Sequence, residues 1–321
     1  MRFKRVRLEN GETSVAAFFE GRWWPLAPFE GELGGAARDL IQALAGGPPL
    51  FEKIEGLLKA ADRPAPFDPA PLLPFSPRTF RDFMLYEAHV VGATKGWLRR
   101  FAPRAYRAVQ LYERVFGRPH PKVRPKPLWY RRPIYYMGNP LSFLTEGEEV
   151  PWPGYTRALD FELELGFVIA RPLGKDPSPE EAARAIGGFF VLNDVSARDV
   201  QAAEMQSGFG PVKAKNFATG IGAEVVSADE VLPRWQHLSG EVRINDEAVC
   251  RGSAEGPRFD LGEAVAYAAL GEGLVPGEAM ATGTFPGCSG LEAGRLLAPG
   301  DRVEVRIEGV GTLKNPVGSP S

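Results

Sequence analysis

Residues 159–170 read LDFELELGFVIA, and this stretch limits the possible folds more than any other. Apolar and polar residues alternate from Leu159, and a strand sends successive side chains to opposite faces. Phe161, Leu163 and Leu165 therefore share one face, and Glu162 and Glu164 the other. Carboxylates at next-but-one spacing lie about 7 Å apart on a strand rising about 3.3 Å per residue, close enough to converge on one cation. On a half-exposed antiparallel strand they would simply face water. Here the run continues as Gly166-Phe167-Val168-Ile169-Ala170, apolar on both faces, as in a central strand. A second apolar segment, 188–192, delivers Asn193-Asp194 and the polar cluster Ser196, Arg198, Asp199 and Gln201. Acids at the ends of buried strands need opposite charge, because an unpaired buried carboxylate is costly.

The rest of the chain points to a β-rich architecture. Thirty prolines and 37 glycines in 321 residues imply frequent turns. Residues 1–28 read as a meander of short strands turning at Asn10-Gly11 and Gly21. Residues 36–44 read as a helix closed by Gly46-Gly47. Residues 50–61 read as a second, amphipathic helix through Phe51, Ile54, Leu57 and Leu58. The stretch ADRPAPFDPAPLLPFSPR holds too much proline for a helix or central strand, so it reads as an extended linker. A boundary near residue 75 then gives a small N-terminal β domain over 1–75 and a larger domain over 76–321. In the larger part, 80–101 reads as helical, with Asp82 and His89 two turns apart on one face. Residues 128–158 are aromatic and turn-rich without a regular period. Helices are expected at 179–186 and 261–269, and a hairpin at 242–249 turning at Asn245-Asp246. Residues 279–284 run into a small-residue loop that ends at Leu291-Glu292, and 303–307 reads as the last strand.

Several function classes are excluded. A formal net charge of −2 offers no basic field for nucleic acid or an anionic membrane. Two cysteines, Cys250 and Cys288, make no disulfide framework and suit a reduced, cytoplasmic setting. The N-terminus has charges but no apolar signal-peptide core, and no uncharged apolar run is long enough to span a membrane. Gly208-Phe209-Gly210 has no strand before it and no helix after it, so it is not a dinucleotide fingerprint. His120 and His237 read as surface residues. Arg99, Arg100, Arg104 and Arg107 read as a solvated face or as a clamp for a substrate carboxylate. The acids alone describe an oxygen-only cation site on two strands, which favours Mg²⁺, Ca²⁺ or Mn²⁺ over zinc. Arg198, Gln201 and Lys215 could surround an oxygen that such a cation polarises.

Taken in order, these pieces resemble the fumarylacetoacetate hydrolase family. The matching motifs are Asp82-Phe83 with His89 seven residues on, LDFELELGFVIA, NDVSARDVQ, KNFATG, ATGT with the loop ending Leu291-Glu292, and LAPGDRVEVRIEGVGTL. The resemblance covers about residues 76–321. It implies an α+β, β-rich fold in which mixed sheets roll around a metal site, preceded by a small β-barrel-like domain and usually assembled as a homodimer. It implies Glu162, Glu164 and Asp194 as ligands of Mg²⁺, Ca²⁺ or Mn²⁺, with Asp82 as a fourth. His89 would be the general base and Glu292 the carboxylate that orients it. Arg198, Gln201 and Lys215 would bind a tetrahedral oxyanion, and Tyr136, Gly283 and Thr284 would line the substrate site. The family's substrate-binding arginine falls in register on Leu98, so Arg99 beside it is the nearest counterpart. Met84 replaces an aromatic two residues after the first metal aspartate. The implied activity is hydrolysis of the carbon–carbon bond of a 1,3-diketo acid, fumarylacetoacetate or a related acylpyruvate, by His89-activated water. Decarboxylation or tautomerisation of oxaloacetate-like or hydroxymuconate-like acids is the alternative on the same residues. A non-catalytic metal-binding domain would have no need of a base and an orienting carboxylate.

Overall fold

The computed structural model describes residues 1–60 and 70–320. Its strands form two large sheets. The path through the first runs Arg22–Pro25, Thr13–Phe19, Arg2–Arg7, Glu224–Ser227, Ile186–Asn193, Glu162–Ile169, Ala279–Ser289, Phe80–Phe83, Tyr135–Gly138. Its neighbours are antiparallel except Phe80–Phe83, which runs parallel to Ala279–Ser289. The second sheet runs Glu247–Ser253, Ser239–Ile244, Arg302–Ile307, Gly311–Pro320, Val150–Trp152. The acidic strand Glu162–Ile169 is central in the first sheet and buried on both faces.

The alternation of that strand decides the packing. Phe161, Leu163, Leu165, Phe167 and Ile169 join one core with Val242, Ile244, Val303, Val305 and Leu313 of the second sheet. Val168 and Ala170, on the other face, pack with Leu40, Leu44, Phe51 and Ile54 of the N-terminal helical segment. Each such buried side chain contributes about 1.5–3 kcal/mol. At the other end of the same strand, Glu162 and Glu164 open the site.

The N-terminal meander forms as expected, and Phe3 pairs with Val225, so its strands belong to the first sheet. The expected boundary near residue 75 lies between strands of this one sheet. The proline-rich stretch falls in part on 61–69, outside the described residues. The two expected helices appear as Leu40–Lys59, broken where Gly47 takes φ 62°, ψ −163° and Pro48-Pro49 open the second half. Asp39 caps the first half by accepting from the N–H groups of Ile41 and Gln42. The hairpin turns at Asn245 and Asp246, both with positive φ.

Two readings are corrected. Asp82 and His89 do not share a helix: Phe80–Phe83 is a strand, and the helix begins at Glu87. Phe80, Arg81, Asp82 and Phe83 are all buried between two neighbouring strands, and that pairing overrides the helical period. The strand at Arg302–Ile307 is not the last, because the chain turns at Gly309 and returns as Gly311–Pro320. No helix among the described residues is long and apolar enough to cross a membrane.

Leu163 is fully buried and reaches Gly240 on the opposing sheet. Leu163→Ala should therefore lower unfolding free energy by about 3 kcal/mol in urea titration, within the range for large-to-small core changes. A loss below about 1 kcal/mol would mean that the two sheets do not pack through this side chain.

Candidate active site

Five segments deliver the polar residues to one cleft. Asp82 comes from a strand in mid-sheet, where its backbone pairs with Ala281 and Tyr136. Glu162 and Glu164 come from the acidic strand, and Asp194 directly follows the strand Ile186–Asn193 paired to it. Lys215 sits on the connection before Thr219–Ile221, and Arg198 opens the helix Arg198–Ser207. Each of these six side chains is at least nine-tenths buried.

The acids divide into two groups. Asp82, Glu164 and Asp194 each offer an oxygen within 4.8 Å of the others. Asp82 Oδ1 and Glu164 Oε2 are buried without a hydrogen-bond partner among the described residues. Burial pushes the Asp82 and Glu164 carboxyls well above the usual range, and neighbouring carboxylates push them further. Asp194 is also raised by burial, although Lys215 opposes the shift. Three buried acids with spare oxygens and mutual repulsion fit a hard divalent cation. Tyr136 Oη donates to Asp194 Oδ1 at 2.9 Å, and Thr284 Oγ1 to Glu164 Oε1 at 3.1 Å.

Glu162, the other acid expected at the cation, lies outside that group. Its Oε1 accepts from Arg198 Nη2 at 2.6 Å, and its Oε2 is paired with Lys215, which also contacts Asp194. Burial opposes ionisation of Glu162, but Arg198, Lys215 and His89 outweigh it and hold the carboxyl well below its usual range. Arg198 Nη1 donates to Gln201 Oε1 at 2.9 Å, and Arg198 and Lys215 both contact Glu162.

His89 and Glu292 meet across the sequence. His89 Nδ1 lies 2.8 Å from Glu292 Oε2, and its Nε2 lies 3.4 Å from Glu162 Oε1. Glu292 sits on the one-turn helix Gly290–Ala293, where it also accepts from Gly287 N at 3.0 Å and from Ser289 Oγ at 2.7 Å. The helix Glu87–Phe101 approaches through Gly92 and Gly96. A Cβ at Gly92 would lie 2.5 Å from Glu292 Oε1, and one at Gly96 would lie 2.2 Å from the Leu291 carbonyl oxygen. Burial favours neutral His89, but Glu292 and Glu162 prevail and raise its pKa to about 9.

Two further candidates for the substrate site make backbone contacts. Arg99 donates to the carbonyl of Leu291, on the one-turn helix, at 3.0 Å. Gly283 has φ 84° and brings the backbone against Phe83, where a Cβ would lie 2.6 Å from the Phe83 carbonyl oxygen. Two participants were overlooked in the sequence. Asp160, fully buried, binds Arg198 Nε at 2.6 Å, and the alternation that groups Glu162 with Glu164 includes it. Ser289 caps the one-turn helix and holds Glu292, a serine three residues before a glutamate, which is a helix-start signal.

Residues 107–318 match the family model for the fumarylacetoacetate (FAA) hydrolase C-terminal domain. The chain belongs to the fumarylacetoacetate hydrolase family. It is 33% identical over 187 residues to an uncharacterized protein of Methanocaldococcus jannaschii, covering 58% of this chain and 73% of that one. It is 30% identical over 188 residues to the oxaloacetate tautomerase YisK of Bacillus subtilis, and that match spans 58% of this chain and 61% of the tautomerase. A fumarylacetoacetate hydrolase from the psychrophilic Exiguobacterium antarcticum superposes with a TM-score of 0.69 over 99% of both chains at 22% identity, a likeness of fold.

Two outcomes follow from the electrostatics. Glu164→Gln removes one of three repelling acids, so it should raise the urea midpoint of chelator-treated protein while weakening Mn²⁺ binding by at least about tenfold in calorimetry. A lower midpoint with unchanged Mn²⁺ affinity would contradict this account of the acid group. The raised pKa of His89 stabilises the chelator-treated fold fully below about pH 6.5, and that contribution fades as pH rises through about 9. Relative to His89→Gln, wild type should lose urea stability between about pH 6 and pH 10. Parallel curves would mean that His89 titrates alike in the folded and unfolded chains.

Proposed function

We propose that this chain is a divalent-cation-dependent hydrolase that cleaves the carbon–carbon bond of a 1,3-diketo acid, fumarylacetoacetate or a related acylpyruvate. The observation that carries this reading is the His89–Glu292 pair, a buried imidazole fixed by a carboxylate at 2.8 Å beside the acids and their cations. Asp82, Glu164 and Asp194 would hold the cation, next to Glu162. A bound cation supplies positive charge for the adjacent oxygens of a dicarbonyl acid.

The chain's own groups account for the remaining steps. Glu292 keeps a proton on His89 Nδ1, which leaves Nε2 to accept one from water. The resulting hydroxide adds to a substrate carbonyl. Arg198, Lys215 and the Gln201 amide surround the alkoxide, and removal of one such donor typically costs about 3 kcal/mol. The carbon–carbon bond then breaks, its electron pair leaves as an enolate, and His89 Nε2 returns the proton to carbon.

A second reading, tautomerisation of an oxaloacetate-like acid, is supported by two observations. The pKa of about 9 makes His89 a proton donor at neutral pH, when the base of a hydrolase must be neutral. The relative from Bacillus subtilis carries the name oxaloacetate tautomerase.

Turnover measurements separate the two. His89→Ala should bind Mn²⁺ but lose acylpyruvate cleavage by about 10²–10⁴-fold. Glu292→Gln should lose less, and the double variant should be little worse than His89→Ala. Wild-type hydrolysis should rise with pH as His89 gives up its proton. A wild type that leaves acylpyruvates intact, and interconverts keto and enol oxaloacetate at a rate that falls as His89 deprotonates, would instead be a tautomerase.

A further inference from the structure

Asp160 stands behind the cleft and takes no part in the proposed chemistry, yet it is fully buried and two of its three side-chain bonds lead to the site. Its Oδ2 accepts from Arg198 Nε at 2.6 Å and from Leu291 N at 3.2 Å. Its Oδ1 accepts from its own neighbour, Phe161 N, at 2.8 Å. One oxygen therefore joins the guanidinium of the oxyanion group to the one-turn helix that carries Glu292. The fit is close, since a Cβ on Gly290 would lie 2.1 Å from Asp160 Oδ1.

We propose that Asp160 is a positioning residue that sets the spacing between Arg198 and the His89–Glu292 pair. This rests on the reading of those groups as the reacting machinery. Arg198 has three bonding directions, and Asp160 fixes the one that points away from the cleft. Its Nη2 and Nη1 are then aimed at Glu162 and Gln201. Leu291 N–H is one of the free donors at the start of the one-turn helix, and its bond to Asp160 sets how Glu292 approaches His89. Both halves of the site are thereby referred to a single carboxylate. Asp160 leans on Arg198 for its charge, because burial raises its pKa and Arg198 opposes that rise.

Asp160→Asn keeps the size but not the pattern. The amide oxygen can serve Arg198 and Leu291 only by turning its NH₂ toward the Phe161 N–H, and the flipped amide loses the first two. The expected result is a fall in kcat for acylpyruvate cleavage of about 100-fold, the scale of a misplacement of about 1 Å, with KM changed less than about threefold. The far-downfield proton signal of His89 Nδ1–H, assigned by its change in Glu292→Gln, should move or broaden in chelator-treated Asp160→Asn. Unchanged kcat together with an unchanged signal would overturn the proposal. If Asp160→Asn does not fold, Asp160→Ser removes the same carboxylate without added bulk and should give the same signature. Failure of both variants to fold would make Asp160 structural and overturn the proposal as well. If wild type cleaves no acylpyruvate, the proposed reaction fails, while the proton signal still tests Asp160.

Discussion

Glu162 lies between Arg198 and Lys215, and the ionisation of the whole cleft depends on that clasp. Five carboxyls, those of Asp82, Asp160, Glu162, Glu164 and Asp194, are buried around two permanent cations. Asp160 and Glu162 take Arg198, while Lys215 divides between Glu162 and Asp194. Among the described residues Asp82 and Glu164 have no ion-pair partner, so the unmet negative demand collects beside Asp194, where three oxygens converge. Taking charges out of water is unfavourable unless opposite charge follows. The same arrangement that strains the cation-free protein gives a divalent ion a reason to bind.

The apolar scaffold makes this concentration of charge tolerable. The acidic strand presents Phe161, Leu163, Leu165, Phe167 and Ile169 to the second sheet, so its other face can carry acids without unseating it. Strands on both sides hold it in register, and Glu164 pairs with Leu192 on one side and Thr284 on the other. The His89 helix meets the turn of Glu292 through Gly92 and Gly96, where any side chain would force the pair apart. Positioning here comes from backbone proximity more than from long side chains, which suits a base that must be held steady.

Much of this was legible in the sequence, because period-two alternation reports directly on faces. It located the central strand, the face that carries its acids, and a second apolar segment that delivers Asp194. It also contained Asp160, two residues before Glu162 and on the same face, which the E-x-E pair alone does not single out. Contacts between distant segments were not legible from spacing: His89 and Glu292 are 203 residues apart and meet only after the sheets form. Residues 80–83 misled because four residues are too few to distinguish periods of two and 3.6, and partner strands decided the matter. Adjacency to Leu98 in the sequence says nothing of the bond that Arg99 makes to the Leu291 carbonyl, across 192 residues.

The pairing of Arg2–Arg7 with Glu224–Ser227 has a consequence for how the chain can be cut. Glu224–Ser227 is covered on one flank by Ile186–Asn193 and on the other by the N-terminal strand. Removal of the first 25 residues would bare that second flank as a row of unsatisfied amides and carbonyls, the kind of margin along which separate molecules zip together. The apolar side chains of Phe3, Val15, Ala17 and Trp24 would leave with it and uncover the Leu40–Lys59 segment. The opening residues thus act as a selvedge that keeps the sheet behind the cleft from fraying into its neighbours.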